Sequence, residues 1–427
     1  MLVDCGLFQG LKKLRERNWR SLPIEPASLG AVVLTHAHID HSGYLPRLCR
    51  LGFRGPVYCS EATAELLGIL LPDAGFLQEE DAKRANKYGY TRHHPAEPLF
   101  TRKEAEACLV QLRPTAFNQQ FVVASQVSGE FRPTGHIVGA ASVALRTPRV
   151  SVTFSGDVGR PHDPIMKPPA LLGQSDYLVV ESTYGDRLHF KEDVAEALAR
   201  TLNETAARGG VLLVPAFAVG RAQHLLHLLT RLRSEGAIPN IPVHLDSPMA
   251  IHATEIFSHH QAEHRISKEE CRAFSRTAQY ARTSEESKWI DEQTGPRVII
   301  SASGMATGGR VLHHLQRFLP DERNTVLLVG YQAAGTRGRA LAEGADELKI
   351  HGQYVRVRAR VAQISGLSAH ADYSEMLDWL RRSQLAPRAV FVTHGEPAAV
   401  DAFRRRLRDT FDWNAIDPDD DSVWTLD

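Results

Sequence analysis

The sequence predicts an α/β protein in which a parallel-sheet domain is set inside a second unit. Three observations predict it. Short β-branched runs near both ends of the chain stop at His, Asp or Glu. Between Tyr184 and Glu343, strand-like and helix-like stretches alternate, which implies a parallel sheet with helices on both faces. The residues able to do chemistry fall on both sides of that stretch.

Met1 to Gly6 reads as the end of a strand. Ala31 to Thr35 is a strand that stops at a histidine cluster; Ser42 to Leu51 is helical and Pro56 to Cys59 is strand again. Two helices are expected at Glu61 to Leu71 and Glu79 to Tyr88, then a polar loop at His93-His94-Pro95. Phe121 to Thr147 is strand-rich. The strands Val150 to Phe154 and Tyr177 to Val180 lead to Asp157 and Glu181. The interior stretch then alternates: helix Lys191 to Ala207, strand Val211 to Pro215, helix Arg221 to Arg233, strand Pro242 to Asp246, helices to Gln293, strand Val298 to Ser301, helix Gly309 to Phe318 and strand Thr325 to Val329. Val355 to Ile364 returns as strand, Ser374 to Arg382 is helix, Ala389 to Thr393 is a strand ending at His394, and Pro397 to Arg408 is a closing helix.

Composition bounds the answer. Lys plus Arg and Asp plus Glu number 50 each, so any basic surface is local. Five cysteines with no C-x-x-C pair argue against disulfides and a cysteine zinc knot, and for a reducing, cytoplasmic setting. No run approaches the ~20 apolar residues that span a bilayer, and the apolar start from Met1 to Val3 is too short for a signal peptide.

Four of the six positions in His36-Ala37-His38-Ile39-Asp40-His41 are metal-ligand types. At a strand end, His36 and His38 project to one side. The turn that follows brings Asp40 and His41 around a second point. Imidazole with carboxylate suits zinc. Further candidates lie at other strand ends or beside glycines: His136, Asp157 and His394. Each alone is more often structural, and the set carries the weight.

Asp4, the H-x-H-x-D-H run, His136, Asp157 and His394 stand in the order of the ligand motifs of the metallo-β-lactamase superfamily, which the chain resembles over most of its length. That resemblance implies an αββα sandwich and two zinc ions. His36, His38 and His136 would hold one, and Asp40, His41 and His394 the other. Asp157 would bridge them, and Asp4 would orient a ligand from behind.

The offset of 237 positions between Asp157 and His394 is far more than a compact single-domain member needs. The α/β stretch fills it, an arrangement similar to the β-CASP group, whose members act on nucleic acids. The expected division is residues 1–183 and 344–427 for the sandwich and 184–343 for the inserted domain. Glu181, His370 and His394 match that group's own motifs, and a histidine as the last of them favours RNA over DNA. The resemblance makes His370 the general acid that protonates the leaving 3′ oxygen, Glu181 its orienting partner, and Asp40 a further catalytic residue. The glycine-rich turns Ser301 to Arg310 and Gly330 to Gly338 lack the G-K-[ST] of a nucleotide-binding loop. Their similarity to β-CASP sequences makes Ser301, Ser303, Gly304 and Ser368 candidate RNA contacts.

The reading is therefore a zinc-dependent ribonuclease, endonuclease or 5′-to-3′ exonuclease, with RNA as partner, no membrane, and a homo-oligomer left open. Two rivals remain: a hydrolase of a small ester, thioester or lactam, and a non-catalytic RNA-binding scaffold. No G-x-S-x-G supports a serine hydrolase. His93-His94, His259-His260 and His313-His314 are expected to be structural or exposed, and Arg404 to Arg408 a solvated helix face. Members of the group have about two strands ahead of the segment equivalent to Val3-Asp4. The expectation is a start upstream of Met1 or a shortened form, with an exposed sheet edge.

Overall fold

The structure, a computed structural model, describes residues 1–89, 93–189 and 193–427. Two sheets built from both ends of the chain lie face to face. The first has four parallel strands in the order Leu2–Val3, Val32–Val33, Val57–Ser60 and Leu112–Thr115. The second has seven, in the order Ala415–Ile416, Ala389–Thr393, Tyr177–Glu181, Ser151–Phe154, Ala141–Arg146, Val127–Pro133 and Gln120–Ala124. Its first four are parallel and the rest antiparallel. Among the described residues, Leu2–Val3 pairs on one side only.

Successive side chains point to opposite faces, and the central strands are buried almost continuously, so each sheet has two apolar faces to cover. Between the sheets lie Ala31 and Val33 from the first and Val123, Phe131, Ala141, Val143 and Leu145 from the second. The rings of Tyr58, Phe121 and Phe131 stack across that space at 5.1 and 4.8 Å, each such pair adding ~1 kcal/mol beyond its buried area. Outside the first sheet, Val32, Leu34, Val57 and Cys59 pack on Leu45, Leu48, Leu66 and Leu67. Outside the second, Leu178, Val180, Val390 and Val392 pack on Trp379, Leu380, Phe403 and Leu407 from the helices Tyr373–Ser383 and Pro397–Phe411. The result is the expected four-layer αββα sandwich.

The interior stretch forms a six-stranded, all-parallel sheet in the order Gln279–Tyr280, Val243–Asp246, Arg297–Ser301, Val211–Pro215, Thr325–Leu328 and Arg360–Gln363. Leu212, Val214, Leu245, Val298 and Ile300 face the helices on one side. Val211, Leu213, Ile299, Val326 and Leu328 face Val311, Leu315 and Phe318 on the other.

Several elements differ from expectation. Glu61–Tyr88 is one helix of 28 residues that runs through Pro72. An interior proline costs ~3 kcal/mol, which the burial of Leu66, Leu67, Leu70 and Leu71 offsets. The strand expected from Val355 to Ile364 is two. Gln353–Arg356 forms a hairpin with Glu347–Ile350, and Arg360–Gln363 joins the parallel sheet, past Glu343. The amides of Arg358 and Ala359 both donate to the Leu319 carbonyl at 2.8 and 2.9 Å, which pins the bend. The helix expected from Lys191 spans Val194–Ala207, and Lys191 lies outside the described residues. No helix among the described residues is long and apolar enough to cross a membrane. All five cysteines are buried thiols.

One histidine pair proves structural in an unforeseen way. His314 is fully buried between Asp246 and Asp291, with Nε2 and Nδ1 each 2.7 Å from a carboxylate oxygen. Burial alone would lower its pKa, but the two hydrogen-bonded carboxylates raise it to about 9. The folded value exceeds the unfolded value of ~6.5, so the stabilisation is complete below pH ~6.5 and is lost as pH rises through about 9. We expect the stability gap between the native protein and His314→Gln, read from urea melts, to shrink by ~3 kcal/mol between pH 6 and pH 9.5. A gap that does not change with pH would contradict this.

Candidate metal centre

Loops at the ends of the sandwich strands converge on one point. His36 and His38 follow the strand Val32–Val33. His136 follows Val127–Pro133, Asp157 follows Ser151–Phe154, and His394 follows Ala389–Thr393. His36, His38, His136 and Asp157 each offer a ligand atom within 4.8 Å of the others, and so do Asp40, His41 and His394. In the first set His38 Nδ1 lies 3.1 Å from His36 Nε2 and 3.2 Å from His136 Nε2. Asp157 Oδ2 lies 3.4 Å from both Nε2 atoms. In the second set His41 Nε2 is 3.0 Å from His394 Nε2 and 3.2 Å from Asp157 Oδ1. Asp40 Oδ2 is 3.6 Å from His394 Nε2.

Three ring nitrogens aimed at one another cannot all be satisfied by hydrogen bonds, because a neutral imidazole has one donor and one acceptor. Asp157 Oδ1, His38 Nε2 and His136 Nδ1 are buried without a hydrogen-bond partner. Burial pushes the pKa of His36 and His136 down and that of His38 to about 3. These are neutral imidazoles with lone pairs available to a cation. On the other side burial acts the same way, but Asp157 outweighs it and holds His41 and His394 up, His394 at about 9. That half of the site concentrates negative charge, which a second cation would balance. The donor set fits zinc.

Asp4 lies behind the ligands. Its carboxylate accepts the Thr35 amide at 2.7 Å, the Thr35 hydroxyl at 2.8 Å and His41 Nδ1–H at 2.7 Å. That fixes the proton on His41 Nδ1 and frees Nε2 for the site. Gly6 lets this segment lie flat on the histidine loop, since a Cβ there would sit 1.4 Å from the Asp40 carbonyl oxygen.

His370 borders the first set. Its Nδ1 lies 3.2 and 3.1 Å from the two Glu181 oxygens, and its Nε2 lies 3.9 Å from Asp157 Oδ2. Glu181 is itself held by the Val158 amide and the Thr183 hydroxyl, both at 2.6 Å. The candidate RNA contacts divide. Ser301 is fully buried and donates to the Asp246 carbonyl at 3.0 Å, so it is corrected to a structural residue. Gly304 is buried against Phe217. Ser303 is half-buried and capped onto Thr307 at 3.0 Å. Ser368 is buried, its oxygen accepting the His370 amide at 3.3 Å, so it shapes the turn that carries His370.

Two residues near His370 escaped the sequence reading. His189, also buried, donates from Nε2 to the His370 carbonyl at 2.9 Å. Arg221, buried at the first turn of the helix Arg221–Ser234, donates to the Leu367 carbonyl and lies 3.6 Å from Asp163. A cation at a helix N-terminus opposes the helix dipole, and that anomaly was the available signal.

Comparison with known proteins places the chain in a family. A family described as a beta-lactamase superfamily domain matches residues 1–212, the Beta-Casp domain matches 222–341, and a Zn-dependent metallo-hydrolase RNA specificity domain matches 354–418. A protein named Ribonuclease TTHA0252 from Thermus thermophilus is 37% identical over 418 residues, covering 95% of this chain and 90% of that protein. The chain belongs to the β-CASP group of the metallo-β-lactamase superfamily. A further β-CASP relative, named Transcription termination factor FttA from Methanocaldococcus jannaschii, is 29% identical over 428 residues. That match covers 96% of this chain and 65% of the relative, so the chain spans about two thirds of it. A crystal structure of a protein of unknown function from Enterococcus faecalis shares the fold, with a TM-score of 0.50 at 16% identity over 91% of this chain and 79% of that one. As a β-CASP protein the chain is a metal-dependent hydrolase.

Proposed function

We propose that the protein is a zinc-dependent ribonuclease that hydrolyses RNA phosphodiester bonds and leaves a 5′-phosphate and a 3′-hydroxyl. The observation that carries the reading is the Glu181–His370 pair, which holds His370 Nε2 3.9 Å from Asp157 at the edge of the candidate ligand cluster. The relative at 37% identity is named a ribonuclease, and an RNA specificity domain matches residues 354–418.

His36, His38 and His136 would hold one zinc, and Asp40, His41 and His394 a second, with Asp157 shared. When bound, the pair would supply an acidified water and neutralise charge on the scissile phosphate. The chain's own residues do the rest. Asp157 divides its two oxygens between the two ligand sets. Burial would lower the pKa of His370, but Glu181 raises it above the usual value, so the imidazolium is available as an acid. Hydrolysis joins the oxygen of water to phosphorus and breaks the bond to the 3′ oxygen, and His370 Nε2–H gives that oxygen its proton. Asp40, the most exposed carboxylate of the set, is held ionised by His394, and the proton released by the water is lost to solvent. RNA and the five buried thiols suit a cytoplasmic protein.

The test uses zinc-loaded protein and end-labelled RNA, with and without a chelator. Cleavage should stop with the chelator and return with zinc. RNA left intact by the zinc-loaded protein overturns the reading. A ladder of products would mark endonuclease action, and release of mononucleotides from the 5′ end would mark exonuclease action.

A further inference from the structure

The chain is neutral overall, yet between Phe8 and Arg20 it carries Lys12, Lys13, Arg15, Arg17 and Arg20 against Glu16 alone. All but Arg17 are exposed. Two aromatic rings stand among them, Phe8 at 41% and Trp19 at 52% exposed. The two rings thus stand within a concentration of charge of one sign. Each ring has a guanidinium over it: Arg17 lies 4.2 Å from the centroid of Phe8, and Arg47 5.9 Å from that of Trp19. The segment is ordered. Asn18 is buried and clamps Phe8 twice, accepting its amide and donating to its carbonyl, both at 2.9 Å.

Its position is the second observation. The segment leaves the metal centre directly, since the Cys5 amide donates to the His41 carbonyl at 2.7 Å and that of Leu7 to the Ile39 carbonyl at 2.9 Å. It then touches the inserted domain, where a Cβ on Gly10 would meet the Ala334 carbonyl oxygen at 2.5 Å. The Ala334 amide in turn lies 3.3 Å from Glu396, two residues beyond His394. The basic, aromatic segment therefore forms part of the rim where both domains and the metal centre meet.

We infer that Phe8 and Trp19, with Lys12, Lys13, Arg15 and Arg20, form a platform that binds single-stranded RNA outside the metal centre. This rests on the ribonuclease reading. Bases stack on the two cation-backed rings, and the lysines and arginines meet the phosphates between them. Stacking on aromatic rings tolerates any base, so the platform provides length-dependent affinity without sequence preference.

The test measures fluorescence anisotropy of a fluorescein-labelled 20-nucleotide RNA and a 4-nucleotide RNA, in a His370→Ala background so that the strands survive. Phe8→Ala and Trp19→Ala should each weaken binding of the 20-mer by about tenfold and leave the 4-mer unchanged, whereas Trp19→Tyr should retain most of the affinity. Lys12→Ser with Lys13→Ser should reduce the slope of log affinity against log salt by ~1.4. Unchanged 20-mer affinity in folded Phe8→Ala and Trp19→Ala proteins overturns the platform, and so does a loss in Trp19→Tyr equal to that in Trp19→Ala. The two readings fail separately. Native protein that binds the 20-mer through these residues but cleaves nothing sinks only the nuclease reading. Native protein that cleaves RNA with binding indifferent to the variants sinks only the platform.

Discussion

On the two-zinc ribonuclease reading proposed above, replacing Asp157 by Asn should reduce bound zinc from two ions per chain to one or fewer and lower RNA cleavage on the order of a thousandfold or more. Asp157 is buried, and its two oxygens serve different ligand sets. Oδ2 faces His36 and His136 at 3.4 Å, and Oδ1 faces His41 at 3.2 Å and His394 at 3.4 Å. The amide has nearly the same shape but turns one oxygen into an NH2 group and removes the charge. Whichever way it lies, one set loses an acceptor and gains a donor aimed at imidazole lone pairs. Metal analysis of the purified variant, paired with circular dichroism to confirm the fold, reads the outcome. Two zinc ions retained per chain would refute the bridging role.

His370→Ala should lower kcat by about a hundredfold to ten-thousandfold, with zinc content unchanged and KM within a few-fold. The imidazole belongs to neither ligand set, yet its Nε2 reaches the edge of the cluster. Removing it takes away a proton source but no ligand. Glu181→Gln should cost less, about ten- to a hundredfold, because the amide still accepts one hydrogen bond from Nδ1. A His370→Ala enzyme cleaving RNA at near-native kcat would remove the histidine from the chemistry. Loss of zinc in that variant would show it to be a structural support of the metal centre instead.

The candidate ligand residues were legible because the pattern that marks them is written locally. H-x-H-x-D-H occupies six positions, and His136, Asp157 and His394 sit where β-branched runs end. The sandwich and the inserted sheet were legible for the same reason, since their strands carry strong apolar signals. What stayed hidden depends on contacts distant in sequence. Ser301, at the end of a strand, read as a candidate RNA contact because nothing near it announces that the Asp246 carbonyl, 55 residues earlier, accepts its hydrogen bond. His189 and Arg221 support the His370 turn from 181 and 146 residues away. Pro72 misled because tertiary burial overrode its local preference, and Gln279–Tyr280 is too short a strand to show a period.

The strand Ala389–Thr393 lies between Tyr177–Glu181 and Ala415–Ile416 in the larger sheet, and it delivers His394 to a candidate metal cluster whose other members all lie at or before residue 157. At synthesis rates of about 5–20 residues per second, the ribosome takes on the order of ten to fifty seconds to make the 237 residues between them. From the completion of Tyr177–Glu181 until Ala389–Thr393 is made, the edge that these two strands share stays unpaired, and the candidate metal cluster lacks His394.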